Sequence, residues 1–136
     1  VDLDLWHCNL TNNMLKSLDL RNVVNLDIGD NNLPPESVDL LLKIVNFKKI
    51  KQLSLNKQPL TLEAMEPLSQ LLKNSNLEEL QLKSTNFTDE MLFTIQPSLF
   101  KSSLAVLNLQ NNQITSAGAS ALSGLQIRVM LQNNRV

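Results

Sequence analysis

Residues 104–115 read LAVLNLQNNQIT and carry the motif that decides the fold of this chain. In an extended strand alternate side chains share one face, so Leu107 and Leu109 point into a core while Asn108 points away from it. Asn112 follows where the chain must turn inward. Its amide group can bond the backbone N–H and C=O groups that lack strand partners there. The stretch therefore predicts one short strand followed by a buried asparagine turn.

The same motif occurs six times, which predicts a repeat architecture. Its first apolar anchors are Leu3, Leu26, Leu53, Leu80, Leu107 and Val129. The steps between them are 23, 27, 27, 27 and 22 residues. The position of Asn112 is taken in turn by Cys8, Asn31, Gln58, Thr85, Asn112 and Asn134. Gln58 departs from the pattern, so we expect a local adjustment at that repeat.

Between the strands, apolar residues recur with the period of a helix. The predicted buried stripes are Val38, Leu41, Leu42 and Val45; Ala64, Leu68 and Leu71; Met91 or Leu92, Ile95 and Leu99; and Ala117, Ala121 and Leu125. The predicted helix starts are Thr11, Pro34, Thr61, Thr88 and Thr115. Pro67 and Pro97 are expected to kink or shorten their helices. Strand and helix alternating in this way predict an α/β solenoid with a parallel sheet on a concave face and helices on a convex face.

Composition narrows the class of partner. The chain has 136 residues, enough for a single domain. Its net charge is −1, from 12 basic and 13 acidic residues, which argues against non-specific binding to nucleic acid or anionic membranes. No apolar run approaches the roughly 20 residues of a membrane-spanning helix. Cys8 is the only cysteine, so an intramolecular disulfide is impossible and we expect a reducing, cytoplasmic compartment.

The motif over residues 104–119 resembles that of the leucine-rich repeat proteins, and specifically the ribonuclease-inhibitor-like subclass. The resemblance extends along all 136 residues and implies a horseshoe-shaped solenoid of six repeats. It also implies a non-enzymatic protein–protein interaction module without a cofactor. Similar proteins include sensing segments of NOD-like receptors, tropomodulins, bacterial effectors, and regulators of other enzymes such as the GTPase-activating protein of Ran. Regulation of another enzyme and a receptor-like or purely structural role therefore stand as alternatives.

A binding site should lie on the residues between the anchors, because the leucines themselves build the core. The predicted protein-binding residues are Asp4, Trp6, His7, Asp27, Asp30, Asn56, Gln81, Lys83, Asn108 and Gln110. Tryptophan is enriched among interface hot spots, and Trp6 is the single one. We therefore expect an acidic patch around Trp6 that binds a basic or mixed-charge protein segment. Alternatively, Trp6 contacts a further repeat upstream, and the aspartates serve only to solvate the sheet.

Catalytic and metal sites are not predicted. His7 and Cys8 are adjacent, and consecutive strand residues point to opposite faces, so they should not form a catalytic pair. Asp4, Asp27 and Asp30 could offer oxygen ligands to a metal ion, but no tight loop organises them. Two sequons, at Asn9 and Asn86, are interpreted as by-products of an asparagine preceding an anchor and a threonine capping a helix.

Neither end of the repeat array shows a polar cap. Val1 precedes the first anchor and Val136 is itself an apolar anchor. We therefore expect residues 1–136 to be a single leucine-rich repeat domain cut from a longer chain, or one that associates end to end with another copy.

Overall fold

The computed structural model describes residues 1–45 and 47–136. Short strands alternate with helices throughout this part of the chain. In order, the elements are β1 (Asp2–Asp4), α1 (Asn12–Lys16), β2 (Asn25–Asp27), α2 (Pro35–Ile44), β3 (Gln52–Ser54), a 3₁₀ helix (Leu62–Ala64), α3 (Met65–Asn74), β4 (Glu79–Gln81), α4 (Asp89–Phe100), β5 (Val106–Asn108), α5 (Ser116–Ala121) and β6 (Arg128–Met130).

The strands form one open parallel sheet in the order of the sequence, from β1 to β6. Each strand pairs with the next in the register that the motif predicts. The register places the first anchors side by side, in the row Leu3, Leu26, Leu53, Leu80, Leu107 and Val129. The predicted α/β solenoid of parallel strands with alternating helices is therefore confirmed.

The core lies between the sheet and the helices. The central anchors Leu53, Leu55, Leu80 and Leu82 are fully buried. The predicted helix stripes of α2, α3 and α4 are also buried, which confirms their helical phase. In the end repeats the anchors are only half-buried: Leu3, Leu5, Val129 and Leu131. End-to-end association through these repeats stays a prediction.

The stripe predicted for α5 is wrong by one residue. Ala117 is exposed, while Gly118 and Leu122 are buried. The cause is the close approach of α4, because a Cβ atom at Gly118 would collide with the carboxylate of Asp89 and lie 2.9 Å from Cγ2 of Ile114. Only glycine leaves room at this contact, so the residue facing the core carries no apolar side chain that the sequence pattern could reveal.

The predicted helix starts are largely confirmed. The hydroxyl groups of Thr11, Thr88 and Thr115 accept hydrogen bonds from backbone N–H groups of their own helices, at 3.2–3.3 Å. Thr61 precedes a 3₁₀ helix and makes no such side-chain bond. The expected shortening at Pro97 is wrong, since α4 continues to Phe100. Pro97 is exposed, so its ring lies on the solvent side while the buried side of the helix packs without interruption.

The asparagine turns bond backbone groups that lack strand partners, as predicted, and they also join neighbouring repeats. In the fifth repeat, Asn112 Oδ1 accepts the backbone N–H groups of Thr85 and Phe87, each at 2.9 Å. Its Nδ2 group donates to the carbonyl oxygens of Leu82, Leu109 and Gln110 at 2.9–3.2 Å. One buried amide therefore supplies the partner of the Thr85 and Phe87 N–H groups and adds a bond to three carbonyls that other donors also reach.

Gln58 fills the same position less completely, which confirms the expected departure. Its Oε1 atom accepts the N–H of Leu33 at 2.9 Å, but its Nε2 group reaches only the carbonyl of Ile28, at 3.4 Å. Pro59 follows and cannot adopt the left-handed backbone that Asn32 and Asn86 adopt at the matching position of their repeats.

Candidate functional site

The candidate site lies on the strand face, which we define as the surface of the sheet opposite the helices. Two rows of side chains cross it in strict register. One row is Asp2, Asn25, Gln52, Glu79, Val106 and Arg128, and the other is Asp4, Asp27, Ser54, Gln81, Asn108 and Met130. Both rows are those that the repeat pattern predicts. Side chains alternate between the two faces of a strand, so the residues on either side of a buried leucine must lie on the opposite face.

A shallow groove of about 380 Å³ runs over β1 to β4 on the strand face. Among the described residues that line it are four carboxylates, from Asp2, Asp4, Asp27 and Glu79, and no lysine or arginine. Parallel strands lie roughly 4.8 Å apart, so these charges occupy a short strip at one end of the sheet. The groove therefore presents negative potential to solvent.

Asp4 and Asp27, the two aspartates of the second row, are oriented by hydrogen bonds from nearby backbone N–H groups. Asp4 Oδ1 accepts the N–H of Trp6 at 3.1 Å, and Asp27 Oδ1 accepts the N–H of Gly29 at 2.9 Å. Each bond closes a small turn at the end of a strand and fixes one carboxylate oxygen. A partner would therefore meet charges whose orientation is already set.

Trp6 lies at the edge of the strand face, beyond the end of β1, and its residue is 37 % exposed. The indole ring packs directly over Gly29 of the next repeat. The Nζ atom of Lys57, one repeat further, lies 5.7 Å from the centre of the ring, within the range of a cation–π contact. The Trp6 patch is therefore mixed in charge rather than purely acidic. A contact between Trp6 and an upstream repeat stays a prediction.

The reason given above for separating His7 from Cys8 is wrong, although the two side chains do engage different partners. His7 is not a strand residue. It has a left-handed backbone with φ of 52°, and its Nδ1 lies 2.7 Å from Oδ2 of Asp30. Cys8 Sγ instead donates to the carbonyl of Trp6, at 3.3 Å. His7 and Asp30 thus form a hydrogen-bonded pair next to Trp6 in the chain.

The position of His7 recurs in every repeat as a left-handed turn. The residues that adopt it are His7, Asp30, Lys57, Ser84, Asn111 and Asn133, with φ between 52° and 61°. The first five donate their N–H to a carbonyl of the following repeat, as Lys57 does to Lys83 at 2.9 Å. The strands are only three residues long, so this row lies on the turn that follows the sheet and not on the sheet itself.

Three further predicted residues, Asn56, Lys83 and Gln110, follow β3, β4 and β5 at the position that Trp6 takes after β1. Asn56 Oδ1 accepts the N–H of Lys83 at 2.7 Å. The side chain of Gln110 donates to Gln132 at 2.9 Å, and both Gln110 and Lys83 are half-buried.

Asn108 is only 7 % exposed, and its role as a binding residue stays a prediction. Its Nδ2 group donates to Gln81 at 2.7 Å, and its Oδ1 accepts the N–H of Gln110 at 2.9 Å. Its neighbours therefore cover this side chain, and register alone does not reveal that cover.

Four residues of the site were not among those predicted. Asp2 and Glu79 line the groove, Gly29 supports Trp6, and Lys57 approaches its ring. The repeat register did place Asp2 and Glu79 on the strand face, and the charge of their row was the available signal. The pairing of Lys57 with Trp6 crosses two repeats and has no such signal.

Metal and membrane sites find no support in the described residues. Within residues 1–45 and 47–136, no group of three or more His, Cys, Asp or Glu side chains is placed to hold a metal ion, so Asp4, Asp27 and Asp30 are not brought together as ligands. Across the same ranges, each helix is too short or too polar to cross a bilayer.

Comparison with known proteins supports a leucine-rich repeat protein. A family model described as a leucine rich repeat matches residues 73–90 and 101–123. These segments contain β4 and β5 with the turns that follow them. A search of curated proteins gives no significant match. Proteins built from these repeats generally act in protein–protein interaction and are typically non-enzymatic.

Proposed function

We propose that this chain is a non-enzymatic recognition module that binds a basic protein segment along the strand face. The observation that carries the proposal is the groove over β1 to β4, whose described lining holds four carboxylates and no basic side chain. Asp4 and Asp27 are oriented by backbone N–H groups, so they meet a cationic partner without further ordering.

Trp6 supplies the apolar anchor of the proposed interface. Its ring is supported from below by Gly29 and remains partly open to solvent beside the acidic groove. A large, pre-positioned aromatic surface next to complementary charge is the arrangement that usually dominates binding energy. The carboxylates would then steer the partner to the face, while Trp6 would slow its release.

The experiment compares capture of proteins from the native host by wild type and by the triple variant Asp4→Asn/Trp6→Ala/Asp27→Asn, with identification by mass spectrometry. The matched control is Glu36→Gln/Glu90→Gln, which also removes two negative charges, but from the exposed starts of α2 and α4. We expect a basic partner that is retained by the control and lost by the triple variant. Equal capture by all three proteins would reject the strand face as the site.

We further propose a reducing intracellular compartment, on the ground that Cys8 is the only cysteine and is exposed. Protein purified from its native host should then carry no glycan at Asn9 or Asn86. The intact mass before and after enzymatic deglycosylation tests this, and a loss of mass on treatment would contradict it.

A further inference from the structure

A second groove, of about 400 Å³, opens on the helix side between α2 and α3. We call it the helix groove. Its apolar part is formed by Leu42, Phe47 and Pro67. Leu42 and Pro67 are buried and form the fixed bottom of the groove, while half-buried Phe47 carries the apolar surface that is open to solvent. A volume of this order accommodates a large side chain or a few small ones.

The charges around the helix groove are unbalanced. Lys43 is the basic residue in its described lining, and its Nζ is paired with Oδ2 of Asp39 at 3.1 Å, within α2 itself. Glu63 and Glu66, from the opposite wall, add two carboxylates. Glu66 Oε1 accepts a bond from the neutral amide of Gln70 at 3.2 Å, which leaves its charge uncompensated.

Glu63 has a backbone contact that favours its carboxylate form. A hydrogen bond from its own backbone N–H lowers the pKa of this exposed carboxyl group below its ordinary value. The helix groove thus combines a rigid apolar floor with a carboxylate wall that is charged at neutral pH.

We propose that the helix groove binds a lysine or arginine side chain flanked by apolar residues and presented by a partner protein. The aliphatic stem of such a side chain would pack against Phe47, while its cationic head would reach Glu63 and Glu66. An acidic segment would face repulsion from the same wall. This surface lies on the opposite side of the molecule from the strand face, so the inference does not depend on the function proposed above.

The test uses the whole chain, labelled with ¹⁵N, and the peptide acetyl-Leu-Arg-Leu-Arg-Leu-amide as probe. Peptides with glutamine or glutamate in place of both arginines are the controls. We expect amide chemical-shift changes centred on Leu42, Glu63 and Gln70, with binding by the arginine peptide strongest and by the glutamate peptide weakest. The variant Glu63→Gln/Glu66→Gln should raise Kd roughly three- to tenfold, as the loss of two exposed charges implies.

The Kd is read from the amides of Leu42, Glu63 and Gln70 alone, so binding of the same peptide at the strand face does not enter it. The matched variant Glu36→Gln/Glu90→Gln removes two exposed charges outside both grooves and should leave this Kd unchanged. Because Glu63 and Glu66 are exposed, their glutamine variant should also keep the wild-type melting temperature, which shows that the fold is intact. Three results would overturn the proposal: shifts confined to the strand face, equal affinity for the arginine and glutamine peptides, or a dimer in sedimentation that Glu63→Gln/Glu66→Gln dissociates.

Discussion

The indole ring of Trp6 covers the Cα atom of Gly29 so closely that a Cβ atom there would lie 2.5 Å from Cζ3 of the ring. The same Cβ would lie 2.5 Å from the carbonyl oxygen of Asn56, on the opposite repeat. Gly29 is therefore clamped between a side chain of the first repeat and the backbone of the third. The absence of a side chain at this position is what lets Trp6 lie flat at the edge of the strand face.

The change Gly29→Ala should lower the free energy of unfolding by about 1–3 kcal/mol, the usual cost of overpacking a closed site. The measurement is urea denaturation followed by circular dichroism. Adding Trp6→Ala to this variant should recover only part of the loss, because the contact with the backbone of Asn56 remains. A single variant as stable as wild type would show that the two neighbouring repeats move apart freely.

The buried asparagine turns should differ in their contribution to stability according to their place in the array. Asn112→Ala leaves the buried N–H groups of Thr85 and Phe87 without a partner, and we expect a loss of about 2–4 kcal/mol. Asn134→Ala is the control. It removes three bonds from a half-buried site, where water can replace them, so its loss should be about 1 kcal/mol. Thermal denaturation of both variants measures the difference, and equal losses would contradict the reasoning.

The pKa of Asp19 should depend on Arg21. Hydrogen bonds from the side chain and backbone of Arg21 lower the pKa of Asp19 from 3.8 to about 2. Because the pKa of Asp19 is lower in the folded chain than in the unfolded chain, its ionised carboxylate stabilises the fold at pH values above about 4. This contribution disappears as the pH falls from about 4 towards 2. In Arg21→Gln, the pKa of Asp19 should return towards 3.8, as measured by NMR titration of the carboxyl carbon.

Glu63 serves as the internal reference for that titration. The pKa of Glu63 is lowered mainly by its own backbone N–H, so it should not respond to Arg21→Gln. If Asp19 kept its low pKa in the variant, the ion pair would not be its cause.

The contact between Lys57 and Trp6 should be visible in fluorescence, since Trp6 is the single tryptophan. A nearby cation attracts iodide but has no effect on a neutral quencher. The variant Lys57→Gln should therefore lower quenching by iodide while quenching by acrylamide stays the same or rises. Lys83→Gln is the matched control and should leave both unchanged. Loss of the contact should cost about 0.5–1 kcal/mol of unfolding free energy, as is usual at an exposed site.

Much of the fold could be predicted because the repeat places apolar residues at a nearly constant spacing along the chain. The anchors Leu53 and Leu80 fixed the phase of the strands, and the phase fixed which neighbours share the strand face. The phase of α5 could not be predicted in the same way. The buried residue within α5 is Gly118, and a glycine has no apolar side chain that could contribute to a helical hydrophobic pattern.

The candidate site was only partly predictable for a related reason. The sequence indicates which way a side chain points along its own strand, but not what the next repeat places over it. Asn108 points outward and is nevertheless covered through its bond to Gln81. His7 carries a left-handed turn rather than a strand conformation, because the strand ends three residues earlier.

By itself, the sequence determined the strand phase, the asparagine turns and the acidic character of the first repeats, since each follows from chemistry repeated at a constant interval. Only the tertiary structure decided how Trp6, Gly29 and Lys57 stack across three repeats, and how α2 and α3 leave a groove between them. These contacts join residues that are far apart in the chain. Their geometry depends on how closely the repeats pack, and no local pattern in the chain encodes that distance.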